Sequence, residues 1–283
     1  FAELADLVIR AAQRHNVDVV IDQTSATREG ELAVLSGSRL RLTDGILFSP
    51  ERLGQEDVDK LNVKFPLVLL GERMFGGPTD HVTMQNVASA RAATEHVISI
   101  GRRRIALLGA HPLHQTDIRP ANLRVRGYRE ALEAAGLPYD PDLVRAVAPW
   151  HRENGVAAVR ELLATNIRFD AVFALNDTLG LGALRGLGEA GVRVPDDVAV
   201  IGFDNIDEDR FSVPSLTSVE AGRAEIARIA VDLLMERINE KGQKQPPREI
   251  MVDYRIVARE STGFMESPDE SPVAPAASFR HSS

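Results

Sequence analysis

The chain contains no cysteine in 283 residues, which excludes disulfides, thiolate metal sites and cysteine nucleophiles. Positive charge is in short supply: 33 Lys and Arg stand against 41 Asp and Glu, a net charge of -8. Such a balance argues against a chain that coats nucleic acid or acidic membranes by itself. No apolar run approaches the roughly 18 residues needed to span a bilayer. The opening FAELADLVIRAAQRH lacks the charged, apolar, small order of a signal peptide. Three enzyme signatures are also missing, GxxxxGK[ST], HExxH and GxSxG, so phosphate-loop, zincin and hydrolase-elbow chemistry lack support. GLGALRGLG at 180–188 only mimics a dinucleotide fingerprint, because Arg185 stands where the third glycine belongs and the run lies inside a helix.

What is present is an ordinary globular composition, 44% apolar and 26% charged, long enough for about two domains. Residues 1–15 read as an amphipathic helix with Leu4, Leu7, Val8, Ala11 and Ala12 on one face. Strands and helices then alternate in a rhythm that implies parallel sheets. Strands are expected at 17–21, 45–48, 67–70, 105–108, 143–147, 171–174 and 198–203, with helices at 28–41, 55–61, 86–100, 121–135, 152–164 and 176–190. Gly136 and Gly191 fall where helices should stop, each followed by a proline, Pro138 and Pro195. A long helix is expected at 221–240 and a loop or crossover at 241–247. The Ser, Pro and Ala-rich tail, 265–283, is expected to be disordered. The count suits an α/β molecule with two doubly wound sheets.

The stretch VRVPDDVAVIGFDN, 192–205, holds the sharpest signal. Its apolar run 198–203 is that of a strand covered on both faces, yet it ends on a carboxylate, Asp204, and an amide, Asn205. Ligands of open α/β sheets bind at that end of the strands. Asp204 therefore reads as a ligand acceptor ahead of a simple helix cap. A carboxylate can accept from two adjacent sugar hydroxyls at once.

From about residue 167, IRFDAVFALNDTLGLGALRGLGEAGVRVPDDVAVIGFDN followed by PSLTSV resembles the LacI/GalR family of bacterial transcription regulators, in the part that binds effector. TDGILFSP at 43–50, LVLLGER at 67–73, the segment 85–109 and LRVRGYREALEAAG at 123–136 match in the family's order, and YRIVARESTG fits the closing strand. The resemblance implies a type I periplasmic-binding-protein-like fold, two lobes joined by three crossovers and closing on a small ligand. By it the first lobe would hold 1–84 and 217–242, and the second 85–216 and 243–264. It also implies a missing first strand and a missing N-terminal helix-turn-helix, the only route to operator DNA. A homodimer, a cytoplasmic location, no cofactor and no catalysis are further implications. An exported sugar-binding receptor of a transporter is the alternative on the same fold.

The resemblance also singles out Arg124, three residues before Gly127, as an effector contact whose rigid fork of donors could bridge sugar oxygens and pair with Asp204. Trp150, the only tryptophan, either stacks on the C–H face of a ring or anchors its loop. Asn176 opens a helix and is equally good as an N-cap. Arg73 keeps the arginine of the family's Asp-Arg pair, whose aspartate is here Glu72, and the family's Asp-Asn at the first crossover is here Gln85-Asn86. The loop 110–120 should overhang the cleft, with His114 as a ligand contact. His111, His114 and Asp117 invite a metal reading, but spacing in a proline-containing loop with no fourth ligand argues against it. Asp204 and Asp177 as a glycosidase pair would need a fixed separation that the sequence does not supply.

Overall fold

In the computed structural model, residues 2–37, 43–111, 119–165, 167–241 and 245–264 are described. Two sheets organise them. The first has four strands in the order β1 (Ile46–Phe48), β2 (Leu67–Leu70), β3 (Asp80–Met84) and β9 (Glu249–Val252), all parallel. The second has six, β10 (Arg255–Val257), β8 (Thr217–Glu220), β7 (Ala199–Phe203), β6 (Ala171–Ala174), β4 (Ile105–Ala110) and β5 (Val144–Ala146). Only β10 runs antiparallel, at the edge beside β8. This is the expected α/β architecture of two parallel sheets, with one antiparallel strand added.

Each sheet is covered on both faces, and its uninterrupted apolar strands divide between them. In β6, Ala171 and Phe173 pack on one face with α3 (Asn86–Ser99) and α4 (Pro120–Ala134). Val172 and Ala174 pack on the other with α5 (Arg152–Ala164) and α6 (Asp177–Glu189). The first sheet repeats the pattern. Leu67 and Leu69 face α2 (Arg28–Leu35) and the 3₁₀ turn Gln55–Leu61, while Val68 and Leu70 face α7 (Arg223–Asn239). The helix α1 (Ala2–Gln13) lies on α7 through Val8, Ala11 and Ala12. A fully buried side chain such as Phe173 contributes about 1.5–3 kcal/mol by leaving water.

Several expectations need correction. Segment 17–21 is not a strand; it has no ladder partner, and Val20 and Ile21 are exposed. The second helix stops at Leu35, where Gly37 takes the left-handed conformation. Residues 55–61 form a 3₁₀ turn. Three strands, β3, β8 and β9, escape the apolar pattern; in β3, DHVTM begins with two polar residues. Their burial is tolerated because Arg237 pairs bidentately with Asp80, both contacts at 2.8 Å, and the His81 ring bonds the Gly71 carbonyl at 2.5 Å.

The lobe boundaries at 216/217 and 242/243 also move. Residues 217–220 pair with β7 in the second sheet, and residues 249–252 pair with β3 in the first. The chain therefore passes between the sheets at 84–86, 221–223 and 253–254. Pairing sets these limits, and helix periodicity could not reveal it. The tail 265–283 lies outside the described residues.

Candidate functional site

A cavity of about 310 Å³ lies between the sheets, walled by Ser49, Glu51, Glu72 and Arg73 from loops after β1 and β2 and by Pro120 at the start of α4. Arg124 is placed one turn into α4 by the close approach of that helix to α3. At Gly127 an added Cβ would stand 2.2 Å from the Val87 carbonyl, so only glycine allows this spacing. The Arg124 side chain is buried, 5% exposed. Its Nε donates to Asn86 Oδ1 at 2.8 Å, its Nη1 donates to the Leu175 carbonyl, and its Nη2 reaches Met84 Sδ at 3.6 Å. The guanidinium lies over the Phe203 ring, 3.5 Å from its centroid. Burial depresses the Arg124 pKa, and the Asp204 carboxylate offsets that.

Asp204 Oδ1 lies 3.8 Å from Arg124 Nη2. The backbone that aims it is strained, with φ of 114° at Asp204 and 55° at Asn205, conformations that non-glycine residues rarely hold and that cluster at functional sites. Neighbouring bonds hold it there. Asp204 N donates to the Val219 carbonyl at 2.9 Å, and Asn205 N to Ser218 Oγ at 3.0 Å. The Asn205 side chain donates to Glu220 and accepts from Arg259. Asp204 does not cap the next turn, whose N-cap is Ile206 with no side-chain cap. Its side chain keeps 28% of its surface exposed. Desolvation pushes its pKa up to about 7, opposed by Arg124 and reinforced by Asp177.

The other sequence candidates divide. Trp150 donates from Nε1 to the Gly109 carbonyl at 3.1 Å and packs against both cores of the second sheet, so it anchors its loop; its ring centroid is 5.8 Å from the Arg124 guanidinium carbon. Asn176 is the N-cap of α6, accepting from Leu179 N at 3.0 Å, and its amide donates to Thr178. Thr178 in turn donates to the Trp150 carbonyl at 2.6 Å, which joins cap and anchor. Arg73 lines the cavity while its Nε donates to the Leu53 carbonyl at 2.8 Å. His114 and Asp117 lie outside the described residues. Among the described residues no cluster of three or more His, Asp or Glu could hold a metal.

Three groups were not singled out as ligand contacts. Glu72 is buried beside Thr83, and burial raises its pKa against the pull of Arg124. Asn86 receives Arg124. Asp177 and Asp209, both fully buried, are neighbours whose carboxyls act on each other's titration. Asp177 accepts from Ser218 Oγ at 2.7 Å and Ile206 N at 3.1 Å, whereas neither Asp209 carboxyl oxygen receives a donor. Burial first, then the Asp177 charge, pushes Asp209 up to about 10, so this pair holds a proton and fastens the loop behind Asp204. A glycosidase role for Asp177 is thereby removed: it is sealed under that loop. Long-range pairing of this kind leaves no trace in residue spacing.

Residues 94–262 match the family model described as a periplasmic binding protein-like domain. A putative transcriptional regulator of LacI family from Sanguibacter keddieii DSM 10542 has the same fold, with a TM-score of 0.84 and 51% identity over 93% of this chain and 94% of that one. The chain belongs to the LacI family of transcriptional regulators. Within that family, the HTH-type transcriptional regulator CelR of Thermobifida fusca is 38% identical over 194 residues, 68% of this chain. The match spans 55% of that regulator's length. A CelR–cellobiose complex superposes with a TM-score of 0.75 at 32% identity, over 92% of this chain and 78% of that one. These LacI-family relatives are transcriptional regulators rather than enzymes. Among the described residues no helix is long and apolar enough to cross a membrane.

Proposed function

We propose that this chain is the effector-sensing and dimerising part of a LacI-type regulator, and that a sugar or similar polar ligand binds between its two sheets. One observation carries the reading. Arg124 and Asp204 face each other at 3.8 Å across the carboxyl ends of the second sheet, a gap that a hydroxyl can bridge by accepting from the guanidinium and donating to the carboxylate. Ligand held there and by the first-lobe wall at Glu72 and Arg73 favours the closed arrangement of the lobes. The coupling to DNA is limited by the ligand's preference for that state. A relative whose structure is a complex with cellobiose supports a sugar. That the relatives are regulators favours this reading over an exported receptor.

In this reading the protein works in the cytoplasm as a homodimer, and operator contact falls to a helix-turn-helix outside these residues. Catalysis and a cofactor have no part in it. Trp150, the only tryptophan, provides the test. Titration with cellobiose, other sugars, phosphosugars and nucleobases, read by its fluorescence and by thermal shift, should find a saturable response that Asp204→Asn abolishes. A response that survives Asp204→Asn would overturn the assignment. Light scattering checks the dimer.

A further inference from the structure

Asn86 opens α3 directly after the first passage between the sheets and is 2% exposed. Its Oδ1 takes the Arg124 Nε–H at 2.8 Å, yet its Nδ2 has no partner within hydrogen-bond geometry, although the Glu72 carboxyl lies near enough to feel it. A buried amide left half-satisfied costs stability, so packing alone does not explain an asparagine here. The residue before it is bound to another passage: Gln85 Nε2 donates to the Val252 carbonyl at 3.1 Å and lies 3.4 Å from Asp253 Oδ1. The second passage also reaches the site, because Arg223 Nη2 donates to the Asn205 carbonyl at 2.9 Å. The first two passages therefore touch Arg124 and the residue beside Asp204, the third is tied to the first through Gln85, and Asn86 is the residue that accepts a short hydrogen bond from the guanidinium.

We propose that Asn86 is a positioning residue for the cleft: its amide oxygen fixes the Arg124 guanidinium against the first passage between the sheets, within reach of Asp204. A ligand that draws on Arg124 then acts on that passage, which links occupancy of the cleft to the set of the two lobes. The functional meaning rests on the reading of the cleft as an effector site, but the test contains no ligand, so the two stand or fall separately.

The experiment follows the Asp204 carboxyl carbon by ¹³C NMR against pH in the ligand-free protein, in wild type, Asn86→Leu and the packing control Val97→Ala on the same helix. The groups facing Asp204 are Arg124, Asp177, Arg223 and Glu72. With Arg124 released, the midpoint of Asp204 in Asn86→Leu rises by about half a pH unit or more, a roughly threefold change in proton affinity. Val97→Ala lowers the thermal midpoint and leaves the Asp204 titration in place, as a purely structural role would. A second measurement covers failure of Asn86→Leu to fold. The Arg124 Nε–H, bonded to a buried acceptor, exchanges slowly with water in wild type and in Asn86→Asp, which keeps an acceptor at that point. Fast exchange in wild type, or an unmoved Asp204 midpoint in a folded Asn86→Leu, overturns the proposal.

Discussion

The Arg124 guanidinium stops 3.8 Å from the Asp204 carboxylate, close enough for an ion pair and too far for a direct hydrogen bond. The carboxylate therefore keeps acceptor capacity for a guest while a buried cation holds its charge in place.

Asp204→Asn removes the charge and half of the acceptor capacity with little change of volume. Ligand binding falls below detection in a calorimetric titration. Because burial raises the Asp204 pKa in the folded state to about 7, its stabilising protonation is complete below the unfolded value and lost as pH rises through about 7. Above that pH the asparagine variant is at least as resistant to urea as wild type; a large loss of stability there contradicts the account.

Ligand affinity itself depends on pH in the opposite sense. Sugar hydroxyls donate to the ionised carboxylate, so affinity is highest above about pH 7 and weakens as Asp204 takes up a proton below it. Calorimetry at pH 5.5 and pH 8, as round values on either side, reads the difference. Equal affinities would show that Asp204 is not the acceptor.

Asp209→Asn tests the carboxyl pair behind the site. Asp209 is pushed up to about 10 in the folded chain, so its contribution is full below the unfolded value, declines as pH rises and is gone above about 10. Asparagine donates to Asp177 at every pH. The variant's thermal midpoint should therefore exceed that of wild type increasingly from neutral to alkaline pH, by scanning calorimetry. A constant offset would mean that Asp209 is already ionised.

Trp150→Phe separates anchoring from stacking. It deletes the hydrogen bond to Gly109 and keeps an aromatic face, so chemical denaturation should show a loss of about 1 kcal/mol. Ligand affinity, measured by thermal shift, stays within about twofold. Loss of affinity without loss of stability would restore the stacking role.

Gly127→Ala pushes a methyl into the Val87 carbonyl. The strain of separating α3 from α4 costs about 1–3 kcal/mol and carries Arg124 away from Asn86. Stability and ligand affinity fall together, and a neutral effect in urea melts would count against the tight contact.

Much of the fold is legible in the chain because strands such as 67–70 and 171–174 are apolar on both faces, and because Gly136 and Gly191 mark helix ends in the left-handed conformation. The pairing of Arg124 with Asp204 is legible only through family resemblance. β3 stayed hidden, since Asp80 and His81 look like surface residues until Arg237 and Gly71 are seen beside them. Segment 17–21 shows the converse, a run rich in Val and Ile that needs a neighbour to become a strand. Asn86 and Asp209 gain meaning from partners 38 and 32 positions away (124 minus 86, 209 minus 177), distances at which local periodicity says nothing.

β8 belongs to one sheet, the helix after it to the other, and β9 and β10 divide again. Neither lobe is thus a single stretch of gene. No single cut of the chain separates the two sheets with all their strands, so the halves cannot be expressed or exchanged as independent modules, and damage to one core is felt as unfolding of both.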